Sequence, residues 1–188
     1  MKKIDKVMWQ ETIYPILVLS IIALIVSAAL AVTNMYTAPV IEANEKAATL
    51  VAYVEVLPSV SDAADLETVD YTADGIDGVV IAPDGSVGVK VLVAGYDGGV
   101  ITIIVGFDTD GTVSGIWADA LTQTQGFGTK VAEDSYLSTF LGLDGTQQAV
   151  AGENGVDLIA GVTVSSSAFI SGYNLCVDTY NAVSGSAN

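Results

Sequence analysis

The chain has 188 residues, 51% of them hydrophobic and 15% charged, with 6 Lys, no Arg, and 22 Asp plus Glu, for a net charge of −16. That length suits one domain of ordinary size, and the charge excludes a nucleic-acid binder that works by neutralising phosphates. There is no His and one Cys, Cys176. Those absences exclude a Ser-His-Asp triad, a Cys-His dyad, most zinc and haem sites, and an internal disulfide.

The first eleven residues carry Lys2, Lys3 and Lys6 against Asp5 and Glu11. Residues 12–41 hold no charge at all, a run longer than the ~20 residues that cross a hydrocarbon core. Pro15 falls where a helix's first turn lacks N–H partners anyway, and Trp9, Tyr14 and Tyr36 flank the run as interfacial aromatics do. A cleavable signal peptide competes, with the Lys cluster as its n-region and Ala29-Leu30-Ala31 as a cleavage site. The length of the apolar run favours a retained anchor. Positive charge before the span places residues 1–12 in the cytoplasm, a transmembrane helix at 13–35, a stalk helix at 36–58 and an extracytoplasmic domain at 59–188. Residues 47–188 hold the whole net charge, with Lys90 and Lys130 their only cations, so the outer domain reads as a solvated acidic surface.

Ala47, Leu50, Val51, Val54 and Leu57 share one face at helical spacing before Pro58 stops the stalk. Residues 59–76 are acidic and carry no clear pattern. Then Pro83-Asp84-Gly85, Gly95-Tyr96-Asp97-Gly98-Gly99 and Asp108-Thr109-Asp110-Gly111 punctuate β-rich runs at 79–82, 87–94, 100–107 and 112–121. Short strands joined by tight turns predict an antiparallel meander. A short helix is expected at 129–142, a short strand at 156–160, and a helix at 165–182 with Phe169, Tyr173, Cys176, Val177 and Tyr180 on one face. The fold class is α+β: one N-terminal transmembrane helix, then an antiparallel-sheet domain with flanking helices.

Two segments carry chemistry. In Ala160-Gly161-Val162-Thr163-Val164-Ser165-Ser166-Ser167 a strand gives way to a helix start, with Thr163 just before it. The first N–H groups of a helix lack internal partners and carry the positive end of its dipole, so they can hold a phosphate without a cation. Ser165, Ser166 and Ser167 would add hydroxyl donors; the alternative is an ordinary Ser-rich helix cap. In Gln123-Thr124-Gln125-Gly126-Phe127-Gly128-Thr129-Lys130, two Gly flank an aromatic, which lets backbone approach a flat ligand, and Lys130 would offset a negative charge. The alternative is a surface loop with a solvated Lys.

Together, after one membrane helix, the two segments resemble the covalent-flavin-binding domain of electron-transport proteins, as in the G subunit of the Rnf complex and the C subunit of the sodium-pumping NADH:quinone reductase. That family's loop usually reads Glu-Thr-Pro-Gly-Leu-Gly, here residues 123–128, with a Lys soon after, here Lys130. Its attachment motif usually reads Ser/Thr-Gly-Ala-Thr, here residues 160–163. The departures are Ala160, Val162, Gln123 and Gln125. The resemblance implies FMN esterified through its phosphate to Thr163 and installed by a separate flavin transferase using FAD. It implies that Gly161, Val162, Val164 and Ser165 line the phosphate, and that Gln123, Thr124, Gly126, Phe127, Gly128 and Lys130 line the ring or ribityl chain. Trp117 and Tyr96 are further stacking candidates. The implied function is electron transfer within a membrane complex that couples ferredoxin and NAD to sodium or proton movement, with integral, flavin and iron–sulfur subunits as partners. Two rivals remain at this point: a standalone extracellular flavoprotein, and a pilin- or adhesin-like surface domain without redox chemistry. No Gly-x-Gly-x-x-Gly fingerprint for NAD is visible.

Overall fold

The computed structural model describes residues 9–153 and 156–186. Residues 1–8, most of the expected cytoplasmic segment, lie outside them. The chain divides into two units, Met1–Ala48 and Thr49–Asn188.

The described residues of the first unit are helical. A π-helical turn, Trp9–Ile13, leads into helix α1, Tyr14–Val56. Trp9–Val56 is long and apolar enough to cross a membrane. Ile16, Leu19, Leu24, Ile25 and Leu30 are all exposed, as side chains facing lipid are. Pro39 sits inside α1 and removes one ladder bond. Two and six residues earlier, the Thr37 and Thr33 hydroxyls donate to the carbonyls of Thr33 (3.1 Å) and Ala29 (3.0 Å). Such back-bonding satisfies a hydroxyl where water is absent.

The second unit begins within α1. It is built on an antiparallel sheet in simple order: β1 (Glu67–Val69), β2 (Ile76–Ile81), β3 (Val87–Ala94), β4 (Val100–Phe107) and β5 (Val113–Asp119). The meander is the one expected from the turn residues, with β3 and β4 at the predicted bounds. Two of its hairpins share one device. In Ala82–Ser86 and Asp108–Thr112 the Asp at the third position (Asp84, Asp110) accepts a backbone N–H two residues on, at 3.0 and 2.9 Å. A positive-φ Gly follows each. This is the Asp-Gly turn chemistry that closes such loops.

Both faces of the sheet are covered, because alternate residues point to opposite sides. On one face Val79, Val89, Val91, Ile101, Ile103, Val105 and Phe107 pack beneath helix α3, Thr163–Ser186. The α3 residues Phe169, Tyr173, Cys176, Val177 and Tyr180 are all buried, as their spacing predicted. Each such side chain contributes about 1.5–3 kcal/mol of burial. On the other face Ala52, Tyr53, Val56 and Leu57, from the end of α1 onward, pack on Val80, Ala82 and Ile104.

That second contact depends on absent side chains. Gly88, Gly106 and Gly115 are cross-strand neighbours on β3, β4 and β5. A Cβ on Gly106 would overlap the Val56 carbonyl, and one on Gly115 would lie 2.5 Å from Val56 Cα. The last turn of α1 therefore lies in a glycine trough, where the Ser114 hydroxyl donates to the Val56 carbonyl at 2.8 Å.

Several expectations need correction. A strand, β1, forms within the segment that carried no pattern, because β2 offers it an open edge. The expected strand at 156–160 does not form; Val156 makes only an isolated bridge to Glu153. The Ile159 N–H and carbonyl bond locally to Ser166 Oγ and Val162 N instead of to a strand. The helix expected at 129–142 is three short pieces: 3₁₀ turns at Gly128–Ala132 and Ser138–Phe140 around helix α2, Asp134–Leu137. They are anchored by aromatic packing rather than by a continuous ladder: Tyr136, Phe140, Phe169 and Tyr173 meet edge-on or tilted, with centroids 5.0–5.4 Å apart.

Candidate functional site

Helix α3 begins at Thr163 itself, two residues earlier than its Ser-rich run suggested. Gly161, at φ +78°, turns the chain into it, a backbone shape that costs other residues strain. The Val162 N–H closes that turn on the Ile159 carbonyl at 2.9 Å, and the first ladder bond runs from the Ser166 N–H to the Val162 carbonyl at 2.9 Å. The N–H groups of Thr163, Val164 and Ser165 have no partner among the described residues. Thr163 is exposed, and its hydroxyl is bonded to no described residue. An exposed hydroxyl thus sits where three unpaired N–H groups and a helix dipole converge.

The Ser residues behind it behave differently from expectation. The Ser165 hydroxyl donates to Gln123 Oε1 at 2.9 Å, and the Ser166 hydroxyl donates to the Val162 carbonyl at 2.9 Å. Both hydrogens are committed inside the protein, because Gln Oε1 and a carbonyl can only accept. Ser167 is exposed but does not line the cleft.

A cleft of about 480 Å³ brings the two predicted segments together. Thr124, Phe127 and Gly128 line one side, Gly161, Val162, Thr163, Val164 and Ser165 another, and Tyr96 a third. Its volume lies within the range of small-molecule sites. Phe127 is 60% exposed and Tyr96 58%, so two aromatic rings stand uncovered at its walls. The loop is held by its own bonds: Phe127 N–H to the Thr124 carbonyl at 3.1 Å, and Gly126 N–H to Thr129 Oγ1 at 3.0 Å.

Three candidates lie off the cleft surface. Gly126 is at the loop's outer bend. Lys130 is half-buried with Nζ 5.9 Å from the Phe127 ring centroid, so its charge sits against one aromatic wall. Gln123 is 5% exposed and lies behind the cleft. Trp117 lines a separate hollow with Leu121, which leaves Tyr96 as the better-placed of the two aromatic candidates. The residues of the segment that carries Tyr96 read as a turn, and the resemblance made Tyr96 a stacking candidate; the signal in the sequence is an aromatic with flanking Gly in residues 95–99. No cluster of potential metal ligands occurs among the described residues.

The site suits a ligand with an anionic end and a flat apolar end. Unpaired helix N–H groups meet the first, and the rings of Phe127 and Tyr96 meet the second. FMN has both. Residues 95–178, which include Tyr96, the 123–128 loop and Thr163, match the FMN-binding domain family; β1, β2 and β3 precede the match. Over a wider span the chain is 28% identical to the G subunit of the Na(+)-translocating ferredoxin:NAD(+) oxidoreductase complex of Acetobacterium woodii, covering 89% of this chain and 91% of that one. Residues 95–178 thus resemble an FMN-binding domain, in a chain similar along most of its length to one component of a sodium-translocating redox complex.

Proposed function

We propose that this protein is the membrane-anchored electron-carrier subunit of an ion-translocating ferredoxin:NAD oxidoreductase (Rnf) complex, and that it carries FMN as a phosphoester of Thr163. The observation that carries the reading is the exposed Thr163 hydroxyl at a helix start whose N–H groups are unpaired, in one cleft with Phe127 and Tyr96. A flavin transferase would join the Thr163 oxygen to the FMN-side phosphorus of FAD. The pyrophosphate bond breaks, AMP leaves and the hydroxyl proton is released.

Bound flavin supplies the redox chemistry, and the chain supplies its place and surroundings. The N–H groups of Thr163, Val164 and Ser165 hold the phosphate in a domain almost without cations. Phe127, Gly128, Thr124 and Tyr96 enclose the flat part, and Lys130 adds a positive charge beside Phe127. The tether keeps the cofactor from being lost outside the cell. Helix α1 retains the domain at the membrane, with the N-terminus cytoplasmic and the FMN domain outside. It meets integral subunits there, and the outer domain meets a flavin or iron–sulfur subunit. The span has no charged residue at 12–41, so it offers no ion path of its own.

Protein made together with a flavin transferase should give a flavin-fluorescent band on a denaturing gel. Thr163→Ala should be dark while keeping its far-UV circular dichroism, and Thr163→Ser should stay fluorescent. A dark wild-type band would falsify the covalent assignment. Isolation from native membranes should bring down several integral subunits; recovery of this chain alone would count against the complex.

A further inference from the structure

Gln123 touches every wall of the cleft from behind. Its Oε1 accepts from the Tyr96 N–H at 2.9 Å and from the Ser165 hydroxyl at 2.9 Å, while its Nε2 donates to the Gly99 carbonyl at 2.8 Å. The residue itself begins the 123–128 loop. One buried side chain therefore joins the turn that carries Tyr96, the loop that carries Phe127, and the first turn of the helix that starts at Thr163.

The surroundings are shaped to it. A Cβ on Gly95 or on Gly99 would lie 2.5 Å from the Gln123 amide, and one on Gly128 would lie 2.7 Å from its Cβ. The amide also has one workable orientation. Turned over, its NH₂ would face the Tyr96 N–H and its oxygen would face the Gly99 carbonyl, two like-against-like contacts. The position needs a group that accepts twice on one side and donates on the other, and among side chains of this length only a neutral amide or a protonated carboxyl does so. The titratable side chains on the packed segments are Tyr96, Asp97 and Lys130, and none of them bonds to Gln123 through its side chain.

We infer that Gln123 is the positioning residue of the flavin cleft: by bonding Tyr96, Gly99 and Ser165 at once, it sets the spacing between the aromatic walls and the Thr163 helix start, and does so through an uncharged group. The inference rests on the FMN reading above and adds a role for a residue that does not line the cleft. It also assigns the Ser165 hydroxyl to the scaffold, leaving the phosphate to backbone N–H groups.

The experiment uses flavinylated full-length protein in detergent and three variants: Gln123→Glu, Gln123→Met and Ser165→Ala. Gel fluorescence reports attachment. The flavin's visible circular-dichroism band reports the ring's surroundings, and ³¹P NMR reports the phosphoester. Gln123→Glu should match wild type in acid, where its carboxyl keeps the proton that bonds to the Gly99 carbonyl. Its visible band should be lost as pH rises, below the range where the flavin imide itself ionises, while wild type stays flat. Gln123→Met, of similar length but without these bonds, should stay fluorescent on the gel and lack the band at every pH. Ser165→Ala should weaken the band and leave the phosphorus resonance in place.

A Gln123→Glu band that stays flat and equal to wild type would overturn the inference, as would a wild-type band in Gln123→Met. A moved phosphorus resonance in Ser165→Ala would overturn the assignment of its hydroxyl. These results are distinct from a dark wild-type gel band, which would sink the flavin reading itself.

Discussion

Tyr173 and Tyr136 show how much of the interior is held by shape alone. Both are buried in the aromatic cluster that α3 shares with α2, and neither hydroxyl has a partner among the described residues. Burial pushes each phenol up to about 12; Asp157 adds to the effect at Tyr136, and Cys176 and Asp144 add to it at Tyr173. An unpaired buried hydroxyl costs about 1–3 kcal/mol. Tyr173→Phe keeps the ring and removes that cost, so it should stabilise the domain by about 1 kcal/mol in denaturant unfolding. A loss of stability would mean that the hydroxyl has a partner after all. Cys176 lies nearby, wholly buried, with its thiol pushed up by desolvation. It is a packing residue and should resist thiol reagents in the folded protein. Lys130 differs from both. Its charge sits against Phe127, so Lys130→Ala should keep the covalent flavin but lower its potential, and the shift should shrink with added salt.

Among the elements, the end of α1 has two roles. Its earlier turns are apolar and exposed, and its last turns are core. The expected stalk at 36–58 is thus divided by the unit boundary at Thr49: the final turns complete the sheet's second face. Gly106→Ala would force a methyl into the Val56 backbone, and overpacking of this kind costs about 1–3 kcal/mol. A soluble fragment starting at Thr49 should unfold cooperatively. One starting at residue 59 should lose that cooperativity and aggregate, because Val80 and Ile104 would face water. Equal stability of the two fragments would show that the trough contributes nothing.

Across the whole molecule, charge sets the response to pH. Asp84, Asp110 and Asp144 are held below the usual carboxylate range. At Asp84 the Ser86 hydroxyl is the first cause and its N–H the second; at Asp110 the Thr112 N–H leads; at Asp144 the Thr146 hydroxyl leads. A carboxyl whose folded pKa is lowered contributes stability above its unfolded value and loses it as pH falls through the folded one. The melting-temperature advantage of wild type over Asp110→Ala should therefore be constant at neutral pH and shrink below about pH 4. An advantage that persists in strong acid would show that the charge of Asp110 is irrelevant to the turn.

Local chemistry made much of this architecture readable in advance. The uncharged run at 12–41, the Asp-Gly turns and the β-branched strands between them act over a few residues, and so does the apolar face of α3. Strand β1 had no reading in the sequence and the segment at 156–160 was misjudged, because a strand exists only where an edge accepts it, and that is a long-range fact. Likewise, the residues of Gly-Phe-Gly and Gly-Val-Thr read only as two separate motifs; it was the family resemblance that implied one site for both, with Tyr96 as a stacking candidate. Their meeting depends on Gln123 reaching residues 24 to 42 positions away, through bonds that form only once the sheet and α3 have packed. Residue types and short spacings specified the helix, the turns and the Thr hydroxyl at a helix start. Where that hydroxyl lies relative to the aromatic walls was decided by burial and by hydrogen bonds between segments distant in sequence.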